Sequence, residues 1–262
     1  MNEEPEIILE TGPPVLPPPL PAPEPWSGWM TLVWLFVTMG TWFAAQIGVT
    51  IVWGALDGAF SNPQSAGRRL EALAMDGDFL GVATVVAALV ACPMCYLIGR
   101  WRRGFSGMGY LALRLKPRLW PTIGWSVVTV LLGIVFGLVA PSLGVEETPE
   151  FMRDAVRSSD FIVFLILGVV LGAPLVEEFI FRGVLFRGWR ESRLGLWGTL
   201  IVTSLLWTLL HIQYGPVILI YIFLLGLLLG HVRERSGNLW IPIIMHAVNN
   251  AIATFEAIRL AG

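Results

Sequence analysis

The sequence predicts an all-α polytopic membrane protein, a bundle of about seven transmembrane helices, with eight as the alternative count. Three observations carry this. Of the 262 residues, 55% are hydrophobic and 14% charged, with a mean hydropathy of +0.71, too apolar for a soluble domain of this length. Several apolar runs reach the roughly 20 residues that an α-helix needs to cross a hydrocarbon core about 30 Å thick. The 17 Lys and Arg residues fall mostly between those runs, as topology-setting cations do.

The first segment, residues 1–27, is a Pro-rich tail. Its core, TGPPVLPPPLPAPEP, lacks the backbone donors of a packed element and favours extended polyproline II, so a disordered leader is expected. Glu3, Glu4 and Glu6 stand where a cleaved secretory signal carries its positive charge, so the first apolar span is expected to stay in the mature protein. Spans are then read at about 29–56, 79–98, 120–143, 161–181, 195–212, 216–230 and 239–258. They divide into N-terminal transmembrane helices over 28–158 and a core carrying the chemistry over 159–262. Cys92 and Cys95 form one CxxC without a second pair to complete a metal site, and are read as small side chains packed in a helix. Glycines four apart, Gly133 with Gly137, Gly168 with Gly172 and Gly226 with Gly230, suit close helix packing in lipid. No long internal repeat supports a transporter built from inverted repeats.

Cations set the expected orientation. Arg100, Arg102, Arg103, Arg114, Lys116 and Arg118 occupy one segment without an acidic residue, which makes it cytoplasmic. Alternation puts Arg187, Arg190, Arg193, Arg233 and Arg235 on the same side, and Glu146, Glu147, Glu150, Asp154 and Asp160 outside. The N-terminus is then cytoplasmic and the C-terminus outside. The net charge of -2 provides no basic surface for nucleic acid.

Ionisable residues within apolar spans are functional candidates by default. In LGAPLVEEFIFRGVLF, Glu178 and Arg182 stand at i and i+4, the favourable order for an ion pair. Glu177 lies about 100° round the helix and is left for other work. Of three histidines, His211 and His246 fall in apolar helical runs, while His231 reads as a loop residue beside Arg233. Asn250, four residues after His246, shares its side of the last helix, and Asn249 is expected to point elsewhere. Counting along each helix from its presumed cytoplasmic end puts Glu177, His211 and His246 at depths of roughly 20, 25 and 12 Å, a spread that helix tilt must absorb.

The ordered set EExxxR (Glu177, Glu178, Arg182), an aromatic-xxx-His (Trp207, His211) and HxxxN (His246, Asn250) resembles the CPBP family of intramembrane proteases, which includes the CAAX prenyl endopeptidases. The likeness covers roughly 160–258, with Trp207 where the family usually has Phe. It implies a conical or cytoplasm-facing cavity in the bilayer of a bacterial plasma membrane. Within it, Glu177 and His211 activate water, His246 and Asn250 stabilise the oxyanion, and Glu178, Arg182 and Trp207 support them. A zinc ion on Glu177, His211 and His246 is the competing version. Against it stand the absence of HExxH and the poor affinity of an Asn for zinc, so no cofactor is favoured. The expected partners are membrane lipid and a membrane-associated or lipidated protein or peptide substrate. A non-proteolytic scaffold or immunity protein of the same fold, and a proton-relay transporter, stand as the other readings.

Overall fold

The computed structural model describes residues 22–58, 60–145 and 148–261. Most of the Pro-rich tail lies outside the described residues. The chain folds into helices α1 (Gly28–Leu56), α2 (Pro63–Ala74), α3 (Gly77–Trp101), α4 (Gly107–Leu111), α5 (Leu119–Val139) and α6 (Glu150–Arg157). These are followed by α7 (Ile162–Arg190), α8 (Gly195–Leu209), α9 (Pro216–Ser236) and α10 (Trp240–Ala261). Side chains mark several starts: Ser27 accepts from the Met30 N–H, Asn62 from Gln64 and Asp76 from Phe79, each meeting an otherwise orphan amide.

Among the described residues six helices, α1, α3, α5, α7, α9 and α10, are long and apolar enough to cross a membrane. The expected seventh, α8, has 15 residues and spans only about 22 Å. It stops at Leu209, so His211 lies in the following turn rather than in a helix. The chain has little room to do otherwise, because Gly215 and Pro216 already begin α9. His231, expected in a loop, is inside α9 with its ring 6.0 Å from that of Trp125. The span expected to end at 181 continues through Arg182 to Arg190, because that arginine is paired within the bundle.

The axis of the bundle is the contact between α3 and α7. A Cβ on Gly168 would come within 2.6 Å of the Gly81 carbonyl oxygen, and one on Gly81 within 2.2 Å of the Phe164 backbone. The two backbones therefore touch. Asp78, buried near the start of α3, accepts from the backbone amides of Asp160 and Phe161 and so fixes the entry to α7. Helix α7 is not a uniform α-helix: Leu167–Gly172 and Phe179–Leu185 are π-helical, with α-helical residues 173–178 between them.

A cavity of about 550 Å³ lies among α3, α5, α6, α7, α9 and α10. It is lined by the first half of α7 (Leu165 to Glu177), the second half of α5 (Thr129 to Leu138), the latter part of α10 (His246 to Glu256) and Phe151 and Met152 of α6. It therefore runs from mid-bundle toward the α6 end. The arginine-rich end is the other one: Trp26 beside α1 donates to the Ile98 carbonyl, and Leu239 donates to that of Ala112. The orientation set by the cations and a cytoplasm-facing cavity thus pull in opposite directions.

Candidate active site

The site is built on a buried ion pair. Glu178 and Arg182, both fully buried, bond at 2.9 Å as their spacing predicts. Two such charges are costly to hold out of water unless their other polar atoms are engaged, and the engagement here is partial, since Glu178 Oε2 and Arg182 Nε have no hydrogen-bond partner among the described residues. The second Arg182 terminal nitrogen donates to the Gly226 carbonyl of α9 at 3.0 Å, and the guanidinium lies 4.7 Å over the Trp207 ring. Gly226 permits this approach: a Cβ there would stand 3.0 Å from that of Ser204 and 3.1 Å from the Trp207 ring. Arg233, buried on α9, donates to the Arg182 carbonyl at 3.1 Å. Sequence position marks Arg233 as a topology-setting cation and Gly226 as a packing glycine, and gives neither a place at the site.

Glu177 is 6% exposed and faces the cavity. Its Oε2 accepts from the Trp207 indole N–H at 2.5 Å. Trp207 is therefore more than a larger ring beside His211, because it supplies a donor that a phenylalanine lacks. The ring also meets both imidazoles edge-on, with centroids 5.3 Å from His211 and 5.1 Å from His246.

His246 sits between the two glutamates, its Nδ1 3.1 Å from Glu178 Oε1 and its Nε2 3.8 Å from Glu177 Oε2. The Arg182-paired carboxylate is an acceptor, so Nδ1 carries a proton and Nε2 faces Glu177 across a gap that one water can bridge. His211 Nδ1 lies 3.0 Å from the Trp207 carbonyl. A carbonyl only accepts, so the neutral ring holds its proton on Nδ1 and keeps a lone pair on Nε2. His211 and Asn250 line the same cavity as Glu177, so the structure brings together every residue named from the motifs. Tyr214 stacks beside His211 at 6.1 Å between centroids, and burial pushes its phenol up to about 12.

Asn249 is a correction. It lines the cavity, accepts from the Tyr221 hydroxyl and donates to Asn250. On a helix the residues three and four positions after His246 flank it on either side, so its spacing was compatible with the site.

Among the described residues no three His, Cys, Asp or Glu side chains are grouped to hold a metal ion.

Residues 159–252 match the family model described as Type II CAAX prenyl endopeptidase Rce1-like. Over this segment the chain is similar to the CPBP family. Every motif residue from Glu177 to Asn250 lies within the CPBP-like segment, as do Tyr221 and Asn249. The cavity walls supplied by α3, α5, α6 and the end of α10 lie outside it. An uncharacterized 24.3 kDa protein of Escherichia coli is 34% identical over 92 residues, 34% of this chain and 42% of that protein. Uncharacterized protein YpbD of Bacillus subtilis (strain 168) is 34% identical over 109 residues, 39% of this chain and 51% of that protein. The chain thus spans about half the length of these curated relatives or less. No solved structure matches. The CPBP-like segment matches a protease family, and it sits in an integral membrane protein.

Proposed function

We propose that the protein is an intramembrane endopeptidase of membrane-associated or lipidated proteins and peptides, working with Glu177 as general base. The observation that carries this is the meeting of Glu177 and His246 at 3.8 Å on the wall of one buried cavity that also holds His211 and Asn250. A water between Glu177 and an imidazole would attack the scissile carbonyl carbon while Glu177 takes its proton. The carbonyl oxygen becomes an oxyanion, met by the Asn250 amide and by His246 Nε2 when that ring carries both protons. Glu177 then returns the proton to the departing amine, the C–N bond breaks, and a carboxylic acid and an amine are released, the acid passing its proton to the amine or to solvent. His211 Nε2, left with a lone pair by the Trp207 carbonyl, assists in holding the water.

Leu165, Ile218, Ile222 and Leu225 line the same cavity. Apolar walls of this kind suit a substrate that brings its own alkyl chain or apolar helix. A bacterial plasma membrane is the proposed location.

The test uses purified protein and an internally quenched peptide bearing a thioether-linked prenyl chain, with a second, unlipidated apolar peptide in parallel. Glu177→Gln and His211→Ala should each lower cleavage by about 10²-fold or more, the scale of a lost general base. Cleavage retained in either variant overturns the mechanism. A wild-type phenotype in cells carrying Glu177→Gln points instead to a scaffold.

A further inference from the structure

Asn250 is held by a chain of hydrogen bonds that the hydrolytic scheme does not call on. Its Nδ2 donates to the Val169 carbonyl at 2.9 Å, and its Oδ1 accepts from Asn249 Nδ2 at 3.2 Å. Asn249 Oδ1 in turn accepts from the Tyr221 hydroxyl at 2.5 Å. All four residues line the cavity, and they come from α7, α9 and α10.

The Val169 carbonyl is free for a reason written in the sequence. Val169 lies in the π-helical stretch Leu167–Gly172, where an N–H reaches the carbonyl five residues back. The Ala173 N–H accordingly goes to the Gly168 carbonyl. Val169 would be served next by residue 174, and that residue is Pro174, which has no N–H. A carbonyl left over in a membrane bundle must find a side-chain donor. Asn250 provides it.

The two ends of an Asn amide are nearly the same shape and opposite in chemistry. An oxyanion needs Nδ2 toward it and would be repelled by Oδ1. Val169 can only accept, so it selects Nδ2. Turning the Asn250 amide over would set Oδ1 against the Val169 oxygen and Nδ2 against the Asn249 Nδ2. Turning Asn249 as well would not relieve the clash at Val169. Tyr221 closes the chain by holding the Asn249 oxygen. Nδ2 has two hydrogens and Val169 uses one.

We propose that the Val169 carbonyl, Asn249 and Tyr221 are positioning groups that lock the Asn250 amide with its second N–H available to the reacting carbonyl, and that Pro174 creates their anchor. The catalytic part of this rests on the reading of Asn250 as an oxyanion donor; the orientation of the amide does not.

The experiment has one readout for each. In protein labelled with 15N-Asn and placed in nanodiscs, the Asn250 side-chain amide pair is assigned by its loss in Asn250→Ala. Pro174→Ala offers Val169 a backbone donor, and Tyr221→Phe removes the last link. Both should shift the Asn250 pair and speed its exchange with water. An unmoved pair in both variants overturns the relay, whatever the enzyme does. With the quenched prenyl peptide, Tyr221→Phe and Asn249→Ala should each lower kcat about tenfold, below the 10²–10³ of losing an oxyanion donor outright. KM should stay within about twofold, and neither should add to the loss caused by Asn250→Ala. A shifted amide with unchanged kcat, or additive losses in the Asn250→Ala background, overturns the positioning role. Full cleavage by Asn250→Ala overturns the oxyanion reading instead, and the amide spectra still decide the relay.

Discussion

A phenyl ring at position 207 would fill much of the space of the indole and offer Glu177 no N–H. Trp207→Phe is therefore expected to keep the fold and some cleavage while lowering kcat roughly tenfold, the carboxylate oxygen having to take a water in place of a fixed donor. A KM-against-kcat comparison on the quenched peptide checks this, and a raised KM with kcat intact would count against it. The buried pair behaves differently. Arg182→Met strips Glu178 of its charged partner in a fully buried place and leaves it the His246 Nδ1–H, so a loss of about 3–5 kcal/mol is expected, seen as a lower thermal midpoint in detergent. These two positions also mark what a sequence discloses. The Glu178–Arg182 bond follows from i,i+4 spacing on one helix and was legible before any coordinates. The Trp207–Glu177 bond joins α8 to α7, and neither the facing of two separate helices nor a rotamer can be read from spacing. The substitution of Trp for the usual Phe was visible, but its consequence lay in the nitrogen rather than in ring size.

Helices divide in the same way. Gly168 and Gly172 pack on Gly81 and Thr84 of α3, and Gly226 and Gly230 on Ser204 and Leu200 of α8, whereas Gly133 meets only the Tyr221 hydroxyl, at 3.5 Å. The four-residue spacing thus identified packing faces on α7 and α9, and on α5 it marked a wall of the cavity. Gly168→Val tests the tightest of these contacts. Its added carbons would have to displace the Gly81 backbone, which is not a flexible side-chain tip, so α3 and α7 must separate. A markedly lower thermal midpoint and loss of cleavage are expected. Gly133→Ala, whose added carbon would make only an ordinary van der Waals contact with the Tyr221 hydroxyl, should leave the midpoint unchanged. The end of α8 was hidden for a physical reason: hydropathy continues through Leu210 and Ile212, so an apolar count runs on past the turn that presents His211. The π-helical stretches of α7 left no hydropathy signature either, although Pro174 inside an apolar run was a visible mark of backbone irregularity.

For the whole molecule, charge and cavity disagree about which side the substrate comes from. The segment from Arg100 to Arg118, Arg187, Arg190 and Arg193 gather at one end of the bundle, and the cavity reaches the other, where Glu150, Asp154 and Glu256 lie. Lys and Arg in short loops bias those loops to the cytoplasm because they resist translocation, and acidic residues contribute little. With this many cations at one end the charge rule should prevail, putting the cavity mouth on the far side of the membrane. Gln213, exposed and at the cavity wall, and Lys116, exposed in the basic segment, report the two ends. In a background with Cys92→Ser and Cys95→Ser, a membrane-impermeant maleimide applied to spheroplasts should label Gln213→Cys and leave Lys116→Cys untouched. Inverted vesicles should give the reverse. That result would direct the search for substrates to exported or outward-facing membrane segments, trapped with Glu177→Gln and identified by mass spectrometry. Labelling of Lys116→Cys from outside would mean that the packing of the bundle had overruled its cations, and that the site draws on lipidated proteins of the cytoplasm.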